Sequence, residues 1–223
     1  MGDSPISPKV LRGAIVGLDL FNPLASLVVF QYNPENIRRT ITPNSVGGQT
    51  GQTSQAEALR LVGPPTEAIS ADIELDATDQ LEAGSTSARL MGIHPVLASL
   101  EMLVYPKSAL VIANEILATA GIIEVVPPEA PLTLFIWGPA RVVPVRIDSM
   151  TVTEDEFDTM LNPIRAKIGL QMRVLNYRDL GLTSAGGALF MVHQVLKETM
   201  ATINGIGNVV AGATTSISVV GSL

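Results

Sequence analysis

Polar and apolar residues alternate most strictly between Glu67 and Asp76. Ile69, Ala71, Ile73 and Leu75 fall on one side of an extended chain, and Ser70, Asp72 and Glu74 on the other. A period of two with one apolar face predicts a strand of an antiparallel sheet. The same period returns over Lys167 to Tyr177, where Ile168, Leu170, Met172 and Val174 alternate with Lys167, Gly169, Gln171 and Arg173. Val10 to Leu20 carries a further strand pattern, broken at Asn22-Pro23. The stretch Val28 to Arg39, VVFQYNPENIRR, opens with branched and aromatic residues that suit a pleated surface, including Phe30 and Tyr32. It stops at Asn33-Pro34, because proline fixes φ and donates no ladder bond. Pro34 to Asn36 then reads as a turn, with Ile37 to Ile41 running back as a second strand. LTLFIWG from Leu132 predicts a short apolar strand ending at Trp137-Gly138. Val143, Val145 and Ile147 alternate with Pro144, Arg146 and Asp148, and the proline predicts an edge strand.

Helical spacing is rarer. Pro95 suits a first helical turn behind His94, with Leu97, Leu100, Leu103 and Val104 as its apolar stripe and Tyr105-Pro106 as its end. Lys107 to Ala120 is a candidate second helix, followed by an irregular region marked by Gly121, Pro127, Pro128 and Pro131. Thr42 to Gln55 reads as a long uncharged loop, Thr78 to Ser87 as an acidic loop, and Thr151 to Met160 as an acidic connector around Phe157. Leu161 to Ala166 repeats the Asn-Pro turn chemistry at Asn162-Pro163. Ala188 to Ile203 is amphipathic, with Leu189, Val192, Leu196, Met200 and Ile203 on one face. The pattern therefore predicts a mainly β (α+β) chain: two β-rich halves with one or two helices between them in residues 1–182, then a C-terminal helix and apolar, small-residue tail in 183–223.

Composition sharpens this. Only 16% of the 223 residues are charged against 47% hydrophobic, where about 25% charged is usual. Such a surface predicts either burial against other chains or contact of part of the chain with a membrane. The net charge of −7 excludes nucleic acid as a partner, which needs clustered Lys and Arg. With no cysteine, disulfides and thiolate metal sites are excluded, in keeping with a reducing cytoplasm. The N-terminal MGDSPISPKV lacks the basic and apolar regions of a secretory signal. Beyond Glu198 no charged residue occurs. Asn204, Gly205, Gly207 and later polar residues dilute this tail below a membrane span, leaving a packed or strand-like tail buried against neighbouring subunits or a flexible one. Catalytic and cofactor signals are thin. No GxSxG elbow accompanies His94 or His193, Asp76, Asp79, Glu82 and the acids from Glu154 to Asp158 lack calcium-loop spacing, and Gly205-x-Gly207 is a failed dinucleotide fingerprint. No enzyme activity, cofactor or metal is expected. Trp137 reads as a core anchor or an interface anchor, and Arg165 as a partner for an acid such as Glu101 or Glu154.

Four stretches, in this order, carry a resemblance: FQYNPENIRR at Phe30 to Arg39, HPVLASLE at His94 to Glu101, FIWG at Phe135 to Gly138, and FDTMLNPIRA at Phe157 to Ala166. Together they resemble the contractile injection system tube-protein family of phage-tail-like particles over roughly residues 12–182. The resemblance implies a tail-tube-like β-barrel or β-sandwich with a helix and no enzymatic activity. It implies a homohexameric ring that sits in the baseplate between the spike hub protein and the inner tube proteins, beside baseplate wedge components, and initiates tube assembly. The particle would assemble in the cytoplasm. Its candidate fold and interface residues are Phe30, Tyr32, Asn33, Pro34, Trp137, Gly138, Phe157, Asn162, Pro163 and Arg165. Many members continue into a LysM-type module, which this chain lacks. The alternatives are a repeating inner-tube subunit or a membrane-associated adaptor using the tail.

Overall fold

A computed structural model describes residues 11–18, 27–45, 60–119, 121 and 130–220, with side chains as far as residue 208. The chain runs β1 (Ala14–Leu18), β2 (Leu27–Val29), β3 (Ile37–Thr42), β4 (Thr66–Asp76), α1 (Thr78–Glu82), α2 (Thr86–Met91), α3 (His94–Glu101), α4 (Ser108–Thr119), β5 (Leu132–Ile136), β6 (Val142–Phe157), β7 (Pro163–Val174), α5 (Tyr177–Leu180) and α6 (Ala185–Val220). The protein is α+β, mainly sheet. One seven-stranded sheet has the order β2-β1-β5-β6-β7-β4-β3, every neighbouring pair antiparallel.

The period-two strands bury one face each. Ile69, Ala71, Ile73 and Leu75 of β4 meet Ala166, Ile168, Leu170 and Met172 of β7 in a single core with Ile15, Val28, Phe30, Phe135, Val143 and Val145. The stripe of α3, Leu97 and Leu100, with Leu103 just beyond it, closes this core from above, while Val104 stays on the surface. The sheet is strongly curled. In a flat sheet β2 and β4, five strand spacings apart in this order, would lie about 24 Å apart. Two residues of chain and a glutamine side chain reach only about 12 Å. Yet the Gln31 side chain, two residues past β2, accepts the Asp76 N–H at the end of β4 (3.0 Å). The edges β2 and β3 do not pair with each other among the described residues.

Several sequence expectations are corrected. β3 does not run back along β2; it pairs with β4 at the far edge, because residues 30–36 cross the mouth of the curled sheet instead of making a tight hairpin. The two β-rich halves are one sheet, joined where β1 pairs with β5 and where β4 pairs with β7. Pro144 sits in an interior strand, between β5 and β7. Its carbonyl accepts the Leu175 N–H (2.9 Å), so its missing N–H points the same way, past the last β7 residue, Val174, where no ladder bond is required. Thr78 to Ser87 holds α1 and the start of α2, capped by Ser85, rather than a loop. Thr151 to Phe157 is no connector but the far half of β6, paired from Thr151↔Gly169 to Phe157↔Pro163. Thr151, Val152 and Thr153 are branched, and pairing with β7 outweighs the acids that followed them. Only Thr42 to Ser45 of the Thr42 to Gln55 stretch lies among the described residues; there Thr42 ends β3 and Ser45 bridges to Leu61.

The C-terminal helix also differs. It runs through the uncharged segment as far as Val220, so the tail is neither strand nor coil over that length. Its docked face is turned from the one expected. Phe190 and His193 are buried, with Gly186 and Gly187 against Leu180, Leu132 and the Gly181 carbonyl. Of the expected stripe, Leu189 is half-buried, while Val192, Leu196, Met200 and Ile203 are exposed.

Candidate assembly surfaces

The four stretches that carry the resemblance meet at two packed junctions. At the first, Phe30 leaves the β2 edge and is fully buried between Phe135 and Trp137, ring centroids 6.4 Å from each. Trp137 stacks on Phe135 (6.3 Å, planes within 4°) and is half-buried. Gly138, at φ 75°, turns the chain so that the Trp137 N–H reaches the Arg141 carbonyl (2.8 Å). Asn33 ties the crossing segment to β1: its Oδ1 accepts the Gly13 N–H (2.9 Å) and its Nδ2 donates to the Leu11 carbonyl (2.8 Å). An amide fits here because it supplies both a donor and an acceptor to backbone that has left the ladder. Pro34 is half-buried behind it; Tyr32 is exposed, with its hydroxyl 3.4 Å from Asp79.

The second junction is the β6–β7 turn. Asp158 accepts the backbone N–H of Met160 (2.7 Å) and Asn162 (2.8 Å) and the Asn162 amide (2.8 Å), which holds its carboxyl below the usual range. Buried Pro163 offers its carbonyl to the Ile93 N–H (3.0 Å) at the head of α3. Asn162 reaches the Leu90 carbonyl (3.3 Å). Gly92 has φ 55°, and a Cβ there would stand 2.2 Å from the Pro163 oxygen. The turn thus seats α2 and α3 on the sheet while exposing Phe157, Met160 and Leu161 at its tip.

Within its own chain Arg165 pairs with neither Glu101 nor Glu154. Its Nη2 donates to Asp76 (2.8 Å) and its Nη1 to Glu156 (2.9 Å), because β7 registers Arg165 opposite Asp76 on one side and Asp155 on the other. Burial pushes the Asp76 carboxyl up, but hydrogen bonds from Thr78 and Arg165 outweigh it and leave its pKa lowered. A groove of about 600 Å³ lies between residues 32–36 and Asp72, Glu74, Lys167 and Gln171 on the outer sheet face. Its lining mixes charged and polar side chains with apolar residues such as Tyr32, Pro34 and Ile168. No cluster of His, Asp and Glu fit to hold a metal occurs among the described residues.

A charged cluster escaped the sequence reading. Glu67 is 5% exposed and accepts from Arg39 of β3 (2.8 Å) and Lys197 of α6 (3.1 Å). Burial pushes its pKa up, and the two cations more than reverse this, so the net shift is downward. His193, one turn before Lys197, is buried, beside the Ala140 backbone, and neither ring nitrogen completes a hydrogen bond. Burial first, and then Lys197, hold its pKa below the ordinary 6.5. The signal was available: Glu67 has the parity of Ile69 and Ala71, which points it inward.

Apolar side chains are exposed at both sheet edges, Leu18, Leu27 and Val29 at one and Ile41 at the other. On α4 none of the residues is buried, and Ile112 and Ile116 stand most open. Among the described residues no helix is long and apolar enough to cross a membrane.

No protein-family model matches this chain, and neither does any curated protein. Among solved structures, it is similar to a chain in the virion of a native gene transfer agent particle (15% identity, TM-score 0.30). It is likewise similar to a chain in the tail of an empty gene transfer agent particle with C6 symmetry (15% identity, TM-score 0.32). Both alignments cover 73% of this chain and 90% of the other. At these values the likeness carries no function across.

Proposed function

We propose that this chain is a structural subunit of a phage-tail-like contractile injection particle: a homohexameric baseplate ring that joins the spike hub to the inner tube and initiates tube assembly. The observation that carries this reading is the convergence of the four family-like stretches. Phe30 with Phe135 and Trp137, and Asn162-Pro163 with the head of α3, form the junctions that set the curl of the sheet. Their residues resemble the tube family where that fold needs them. The two sheet edges supply the assembly chemistry. Among the described residues β2 and β3 each have one side without a ladder partner, and they carry exposed apolar side chains; pairing such edges between copies closes a ring with no edge left open. The groove at residues 32–36 and the apolar tip at Met160 and Leu161 would then face the neighbouring ring.

Co-expression with spike hub and inner tube proteins tests this. The expected result is a ring of about six times the 23.5 kDa chain by native mass spectrometry, six-fold by electron microscopy. A stable monomer in the presence of both partners rejects the proposal. Copy number per particle separates an initiating ring, present once, from a repeating tube subunit, present in many layers.

A further inference from the structure

We infer that the outward face of α6 is a coiled-coil seam whose partner is the same helix from other copies of this chain, side by side and parallel. Residues that are apolar except for Thr199 follow a strict three–four spacing along this face: Leu189, Leu196 and Ile203 alternate with Val192, Thr199 and Ile206. The sequence continues the spacing at Val210, Ala213, Ile217 and Val220, and the backbone is helical as far as Val220.

Three observations identify the occupant. The first is the period. A stripe repeating every 3.5 residues drifts by about 20° per heptad on a straight helix and stays in contact only with other helices that supercoil with it. A flat lipid surface or a sheet edge does not demand that spacing. The second is position. Phe190, His193 and Lys197 hold an adjoining face, about a third of a turn round the helix, to the domain, whereas Val192 is 58% and Ile206 61% exposed. From Glu198 to Asn208 every residue is exposed, so the helix projects free of its own domain. The third is charge. The positions flanking the seam are Ala188, Val195 and Thr202 on one side and His193, Met200 and Gly207 on the other. Partner choice in coiled coils is commonly set by charges at these flanking positions. None is a Lys, Arg, Asp or Glu here, so identical helices approach without repulsion and no complementary charge selects an unlike helix. A parallel register also places Thr199, the polar member of the described seam, against its own copies. Branched residues at both seam positions favour more than two strands. The inference stands apart from the tail-particle reading, which concerns the sheet edges.

The absence of cysteine permits a direct test. In the full-length chain Thr199→Cys places a thiol on the seam and Asn208→Cys places an equally accessible one off it. Under mild oxidation Thr199→Cys is expected to give a disulfide-linked dimer band at least fivefold stronger than Asn208→Cys. Adding Ile203→Lys and Ile206→Lys to Thr199→Cys is expected to abolish that band without changing the circular-dichroism spectrum of the sheet. Equal cross-linking of the two single variants, or a band that survives both lysines, overturns the inference. So does co-flotation of uncross-linked Thr199→Cys with phosphatidylcholine–phosphatidylglycerol vesicles, which would assign the stripe to lipid. A hexamer that persists while the thiol fails to cross-link overturns this inference alone and leaves the ring reading standing.

Discussion

Gly92 shows how one residue sets a junction. Its φ of 55° belongs to the left-handed region, and the Pro163 oxygen occupies the space a side chain would take. Gly84 has a similar φ of 77° and nothing within 4 Å of a built Cβ. Gly92 also has ψ −132°, outside the left-handed helical well, so its substitution adds backbone strain as well as steric exclusion. Gly84→Ala carries the conformational term alone and is expected to cost about 1 kcal/mol. Gly92→Ala adds displacement of a backbone carbonyl that also receives the Ile93 N–H, raising the cost to about 2–4 kcal/mol. Denaturant melts of both variants check this; equal losses would mean that α2 shifts away from the turn without cost.

Among the elements, α6 is held to the sheet through a few groups, and two of them titrate. At pH above 6.5 His193 is neutral folded or unfolded and adds no pH dependence. Its folded pKa is lowered. As pH falls below 6.5 the unfolded chain therefore takes the proton first, and stability declines until the folded pKa is reached. The charges near the ring are Lys197, Glu67 and Arg39, with Arg141 beside the last two. Glu67 has the opposite character: its lowered pKa contributes stability that is complete above the ordinary 4.5 and is lost as pH falls through the folded value. Two windows of acid loss are expected, one beginning near 6.5 and one below 4.5. Thermal melts across about pH 2 to 8 should show both, and His193→Met should remove only the upper one. A variant that keeps the upper window would assign it to another group.

At the scale of the whole molecule, the domain and the projecting end of α6 separate energetically. Residues 201–208 are exposed, and Gly205 and Gly207 have no neighbour within 4 Å of a built Cβ. We propose that a chain lacking Asn204 to Leu223 folds with an unchanged near-ultraviolet spectrum and a cooperative melt, yet fails to stack rings or attach to a baseplate. An unfolded or insoluble truncation would show that the helix end contributes to the core after all.

What the sequence determined by itself is the set of local states in which chain period and residue chemistry agree. The alternation of β4 and β7 set which face is buried. Asn33-Pro34 and Asn162-Pro163 set where strands stop, and the Leu97–Leu100–Leu103 stripe set the helix over the core. These follow from neighbours along the chain. The tertiary structure decided everything that depends on what lies across the sheet. It sent β3 to the far edge, put Pro144 inside where the ladder had already ended, and extended β6 through an acidic run because β7 was there to pair with it. It also turned Phe190, His193 and Lys197 of α6 inward, because a docked helix buries the face that finds Glu67 and Tyr177 opposite it, and leaves Val192, Thr199 and Ile206 exposed.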